Sequence, residues 1–175
     1  MATKDSGIST TKLLLLYLLN AVDSRLSELQ ILRIVSENNW VSYFDLQENL
    51  FELIQGGMLE SKQNINGKFY QITELGKDTL QFFQKELRAS LREEISAYAS
   101  QNREKLRLET QLYAEYIRIS DGEYRVTLKI LERDVPVLDL NIVCYSKREA
   151  QTITSNWQDR ATTIYKDLLL SLLQS

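Results

Sequence analysis

The chain has 175 residues, with 21 basic side chains against 24 acidic ones for a formal net charge of −3, and no histidine. The missing histidine excludes Ser-His and Cys-His catalysis and the commonest zinc sites, and a net negative charge argues against a generally basic nucleic-acid binder. The six glycines stand where neither a GxGxxG fingerprint nor a P-loop can be written.

With no nucleophile–base set and no carboxylates at metal-ligand spacing, no catalytic residue, metal or cofactor is expected. The single cysteine, Cys144, cannot close an internal disulfide, which fits a reducing cytoplasm. The longest apolar run, residues 13–19, is far short of the roughly 20 residues that span a bilayer. No signal-peptide order opens the chain, so the expectation is a cytoplasmic protein with no membrane partner. A hydrophobic fraction of 43% is enough for a real core.

Residues 1–8 read as a loose terminus. Ser9 or Thr10 opens a first helix to about Asn20, apolar on all sides from residue 13 to 19. A surface helix would show a polar face, so this one must be covered twice, by the second domain or by a second copy of the chain. The latter makes Leu14, Leu15 and Leu18 candidate dimerisation residues. Ser27-Glu-Leu-Gln30 is a capping box for a second helix to about Asn38, and Trp40-Val41 links it to a third.

Ser42 caps the third helix, with Asp45 three residues on. Leu46, Leu50, Leu53 and Ile54 form its core face, and Asp45, Glu48, Asn49, Glu52 and Gln55 occupy the opposite one. Gly56-Gly57 stops it, because glycine accepts the left-handed conformation needed there. Two extended runs, 58–63 and 68–72, join through Asn66-Gly67, a strong hairpin signal. Thr73 caps a fourth helix to about Arg88.

Leu50, Leu53-Ile54, Gly57, Leu59, Gly67 and above all Tyr70-Gln-Ile72-Thr73-Glu-Leu-Gly76 carry a resemblance to bacterial winged-helix transcription regulators of the PadR and MarR type, over roughly residues 10–88. Over its whole length the chain is similar to an uncharacterised bacterial domain-of-unknown-function family with a winged-helix front half. The first resemblance implies a third helix placed for the major groove and double-stranded DNA as partner. The candidate DNA contacts are Tyr43, Gln47 and Asn49 near the start of that helix, with Lys62, Asn64, Asn66 and Lys68 in the hairpin. The third helix carries no Lys or Arg, so an ordinary solvated face is as good a reading of it. Lysines on an edge strand also discourage aggregation.

Ser90-Leu-Arg-Glu93 reads as a capping box for a fifth helix to about Leu106. Three strands follow: 108–119 with its alternation broken near Tyr116, a clean alternation over 124–130 after the Asp121-Gly122 turn, and 138–144 with Pro136 at its start. Cys144 falls on the apolar set of the last strand and reads as a small buried hydrophobe. Ser146-Lys-Arg-Glu149 caps a long last helix whose stripe, Ala150, Ile153, Trp157, Ala161, Ile164, Leu168 and Leu172, should cover the sheet. Leu169, Leu170 and Leu173 widen that stripe beyond what three strands need, and are further dimerisation candidates.

The expected fold class is α+β: an N-terminal winged helix-turn-helix (1–88), a connecting helix (89–106) and a small C-terminal domain of three antiparallel strands covered by a long helix (107–175). The function expected is a homodimeric, DNA-binding transcription regulator whose C-terminal domain serves dimerisation or sensing of a small-molecule effector. The alternative is a winged-helix module for protein contact without DNA binding.

Overall fold

The computed structural model describes residues 7–174, so the terminus expected over 1–8 falls mostly outside the described residues. The chain is α+β and divides into two compact units between Arg107 and Leu108.

The first unit runs α1 (Thr10–Val22), β1 (Leu26–Ser27), α2 (Glu28–Glu37), α3 (Tyr43–Gln55), β2 (Leu59–Asn64), β3 (Gly67–Ile72) and α4 (Glu74–Phe83), then a short 3-10 turn, Gln84–Glu86. α5 (Ala89–Gln111) contains the division between the units. Ser27 makes the full capping box: its Oγ accepts from the Gln30 backbone N–H at 3.1 Å, and Gln30 Oε1 accepts from the Ser27 N–H at 2.9 Å. Ser42 Oγ accepts from the Asp45 N–H and donates to the Asp45 carboxylate.

β1, β3 and β2 form an antiparallel sheet in that order, with Leu26 opposite Tyr70 and Ser27 opposite Phe69. The β2–β3 turn centres on Ile65-Asn66, one residue earlier than Asn66-Gly67, and Gly67 closes it at φ 111°.

α1 is the centre of the first unit's core. Its leucines pack with Ile34, Leu46, Leu50, Leu53, Leu59, Tyr70 and Leu80, and with Ile95, Ala99 and Leu106 of α5. Leu14, Leu15 and Leu18 are at most 3% exposed. They therefore offer no surface to a second copy, which corrects their assignment as dimerisation residues. The second cover that an all-round apolar helix requires comes from α5, within the same unit.

α5 departs from expectation at both ends. It starts at Ala89, where the Arg92 N–H reaches the Arg88 carbonyl, so Ser90 lies inside it instead of capping it. It also runs past Leu106 to Gln111. Residues 107–111 contain neither glycine nor proline, and a Glu104–Arg107 ion pair at 2.8 Å supports the last turns. The expected strand over 108–119 accordingly starts only at Leu112.

α4 exposes one strong constraint. Thr73 caps it, accepting from the Gly76 N–H at 3.1 Å and donating to the Gly57 carbonyl at 2.7 Å. A Cβ at Gly76 would run into the Met58 carbonyl oxygen and stand 2.8 Å from Ile72 Cγ1. Gly76→Ala is expected to cost about 1–3 kcal/mol as an overpacked site. Urea unfolding of the variant beside the wild type checks this, and an unchanged midpoint would refute the close approach.

The second unit is β4 (Leu112–Ser120), β5 (Glu123–Glu132), β6 (Val135–Cys144) and α6 (Lys147–Leu173). The strands make an antiparallel sheet in the order β4-β5-β6, with register shifts at Arg118/Ser120 and Ile130/Leu131. The first lies at the hairpin, beyond the break expected near Tyr116. Arg133 and Asp134, at φ 49° and 67°, make the β5–β6 turn with two left-handed residues and no glycine.

α6 lays Ala150, Trp157 and Ala161 on the sheet beside Val126, Leu128 and Leu138, and the Trp157 indole N–H donates to the Lys129 carbonyl at 3.2 Å. Cys144 is 1% exposed, and burial pushes its thiol above the ordinary range, with the Glu149 carboxylate adding to the shift. A thiol so held is a core group and a poor nucleophile.

Candidate nucleic-acid interface

α3 and the β2–β3 hairpin carry all seven sequence-predicted contacts within one unit, but with unequal freedom. The core phase of α3 is as expected: Leu46, Leu50 and Leu53 are buried. On its flanks, however, several polar side chains are already engaged. Gln47 is half-buried and its amide donates to Glu28 Oε1 at 2.8 Å, while the Tyr70 hydroxyl donates to Glu28 Oε2 at 3.2 Å. Asn49 donates to the Asp45 carbonyl at 2.7 Å and accepts from Ser9 Oγ at 3.1 Å. Glu52 pairs with Lys12 at 2.5 Å.

Asn49 and Glu52 thus reach the start of α1, Glu52 while still exposed, where the helical phase of the sequence predicts only open solvent. The reason is the cap: the residues that open α1 lie beside α3 and supply Ser9 and Lys12 as partners. Gln47 and Asn49 each hydrogen-bond to other residues of the chain, whereas Tyr43, the third α3 candidate, stands clear, 54% exposed and edge-on to Phe44.

The outward face of α3 carries two aromatic rings. Phe44 is 82% and Phe51 64% exposed; seven residues apart, they share a face two turns long, with Glu48 between them. Sequence reading gave them no role. The signal was available, because both fall outside the Leu46-Leu50-Leu53 phase.

In the hairpin, Lys62 pairs across the sheet with Phe69 and Lys68 with Gln63. Because successive strand residues alternate faces, the two lysines project from opposite faces. Lys62 stands 3.7 Å from Glu60, and Lys68 lies over the Tyr70 ring at 5.1 Å. Burial raises the Tyr70 phenol above its ordinary range; Lys68 opposes the shift and the Glu28 carboxylate adds to it.

Asn64 and Asn66 build the turn itself: Asn64 Oδ1 accepts from the Asn66 N–H at 2.8 Å. They shape the tip. Arg25 was missed by sequence reading. Its guanidinium sits 5.0 Å over the Phe69 ring, on the face that carries Lys62. β1 pairing brings it there, since Leu26 and Ser27 lie against Tyr70 and Phe69, and nothing local to residue 25 announces a long-range pairing.

Leu169, Leu170 and Leu173 of the second unit are 40%, 47% and 79% exposed. Among the described residues no group of acidic or cysteine side chains is placed to hold a metal ion, and no helix is long and apolar enough to cross a membrane.

A chain of two compact α+β units with these features belongs to the family described as Domain of unknown function (DUF4364), which matches residues 11–172. The match spans both units. No curated protein and no solved structure matches the chain.

Proposed function

We propose that the first unit is a winged helix and that the chain is a homodimeric transcription regulator. Its β2–β3 hairpin, as the wing, meets duplex DNA, and the second unit serves dimerisation or effector sensing. The observation that carries this reading is the pairing of β1 with β3. It ties the hairpin to the segment that opens α2, giving the order helix, strand, helix, helix, hairpin of a winged helix. Lys62 and Lys68 on opposite faces of that hairpin, with Arg25 beside the first, can bracket a phosphate backbone. α3 cannot contribute in the same way, since carboxylates facing phosphate are repulsive and phosphate contacts supply most of the affinity.

The experiment is a titration of the full chain against random-sequence duplex DNA at several salt concentrations. Binding that weakens steeply between about 50 and 200 mM salt is the expected result; no binding at the lowest salt refutes it. Dimerisation is checked by light scattering, which should read twice the 20.4 kDa of the chain. A monomeric mass at micromolar concentration removes that part. With α1 enclosed, the leucines at the end of α6 are the remaining dimerisation candidates.

Exposed Phe44 and Phe51 favour a second reading, a winged helix whose third helix docks on another protein. Two large apolar rings exposed on one face of a helix are the kind of surface that protein contacts use. A partner crosslinked in cells by the wild type, and absent with Phe44→Ser and Phe51→Ser at unchanged fold, would establish it.

A further inference from the structure

β6 is one edge of its sheet, so along it every second residue turns an unpaired N–H and C=O outward. The register shift and Pro136 stand at its start, which leaves residues 138–144 a regular strand. That stretch has no basic residue, and its one carboxylate, Asp139, is held by Lys129 at 3.2 Å. The opposite edge, β4, carries Glu115, Arg118 and a bulge, devices that keep other strands away.

Beside the β6 edge, α6 leaves its sheet incompletely covered. It rests chiefly on β4 and β5, and an open hollow of about 300 Å³ remains on the β6 side, lined by Leu140, Ile142 and Ile164, with Arg160 at its rim. Asp167 stands on the same flank of α6 as Arg160, two turns further on. Both are exposed, and neither has an ion-pair partner among the described residues.

We propose that this side of the second unit is the seam of a homodimer, in which a second copy docks across the β6 edge about a two-fold axis. The two β6 strands pair antiparallel, both α6 helices lie on one face of the joined sheet, and the helices run antiparallel to each other. With the axis level with residues 163 and 164, Arg160 stands opposite the partner's Asp167, and Asp167 opposite the partner's Arg160. The hollow closes against its own symmetry copy.

Each feature narrows the occupant. Unpaired edge backbone takes a strand, and a strand without free charge pairs with itself at no cost in like-charge repulsion. A lone peptide strand would cover the edge and leave the hollow open, whereas a lone helix would fill the hollow and leave the edge bare. A second copy supplies strand and helix together. The flank with one cation and one anion is self-complementary under a two-fold, while a partner flank of a single sign would meet one attraction and one repulsion. The inference deepens the homodimer part of the proposed function and rests on it.

The test is sedimentation of the full chain, with circular dichroism to confirm the fold of each variant. The wild type should run at twice 20.4 kDa. Arg160→Asp and Asp167→Arg, made separately, should each raise the dimer dissociation constant by about tenfold or more, because both contacts then oppose like charges. Mixed in equal amounts, the two variants should dimerise like the wild type, since every contact across the seam is again opposite in sign. An effect confined to one chain would not be mended by mixing. Ile142→Lys, which places a cation in the seam, should give a monomer. Leu169→Ser with Leu173→Ser, on the other side of α6 from Arg160, should leave the dimer intact.

A wild type that stays monomeric overturns the inference and the homodimer reading together. A dimer that ignores both charge changes, or that mixing fails to restore, overturns the inference and leaves the homodimer reading standing. So does a dimer that is lost with Leu169→Ser and Leu173→Ser and kept with Ile142→Lys. If Ile142→Lys does not fold, the charge exchange decides alone.

Discussion

Leu50→Ala should lower the free energy of unfolding by about 2–5 kcal/mol, the usual cost of truncating a buried leucine. Leu50 is 1% exposed, in the middle of α3, within the cluster built around α1. The cavity would open where helices from three parts of the chain meet, so the surroundings have little freedom to collapse into it.

The changes that calibrate this one lie on the same helix. Phe44→Ala removes a larger side chain, but one 82% exposed, and should stay within about 0.5 kcal/mol, the range of surface substitutions. Glu48→Gln belongs in the same range. Glu52→Gln gives up the pair with Lys12 and should cost up to about 1 kcal/mol, as exposed ion pairs do. Urea unfolding of the four variants side by side measures the phase of α3. If Leu50→Ala and Phe44→Ala cost the same, the helix is rotated from the phase described.

What the sequence made legible follows from how local each signal is. The cap of α3 at Ser42, the capping box at Ser27 and the glycine at 57 act within four residues, and their consequences lie where the residues stand. The strict alternation of Tyr124, Val126, Leu128 and Ile130 likewise placed β5, because a half-buried strand has a period of two.

The failures have the opposite character. The end of α5 carries no stop signal, and the mixed pattern after Leu106 fits a helix as well as a strand. α1 was legible as a doubly covered helix, but the identity of the cover depended on where α5 folds back, which no local rule states. Arg25 reaches the hairpin only through β1, a strand of two residues. Gln47 and Asn49 look like free polar side chains until Glu28 and Ser9 arrive beside them from elsewhere in the chain.

If the first unit binds duplex DNA as proposed, Lys62→Glu combined with Lys68→Glu should abolish, or nearly abolish, that binding while fold and mass stay unchanged. α3 has no cation of its own, Gln47 and Asn49 are engaged internally, and the exposed carboxylate of Glu48 repels phosphate. The attractive term must then come from the hairpin, where these two lysines leave opposite faces of a two-stranded ribbon. Both sites are exposed, so the charge reversal costs the fold little.

Removing one lysine–phosphate pair lowers the magnitude of the salt slope by about 0.9. The double change removes two such pairs in every chain, so the magnitude of the slope should fall by about 1.8 per chain wherever binding can still be measured. Arg25→Gln, which removes the cation behind Lys62, should weaken binding less and on one face only. Titrations at several salt concentrations, wild type beside variants, read affinity and slope together. If the double variant binds with the slope of the wild type, DNA is held by a surface other than the hairpin. If the wild type itself fails to bind at low salt, the acidic, aromatic face of α3 becomes the working surface, and the partner to seek is a protein.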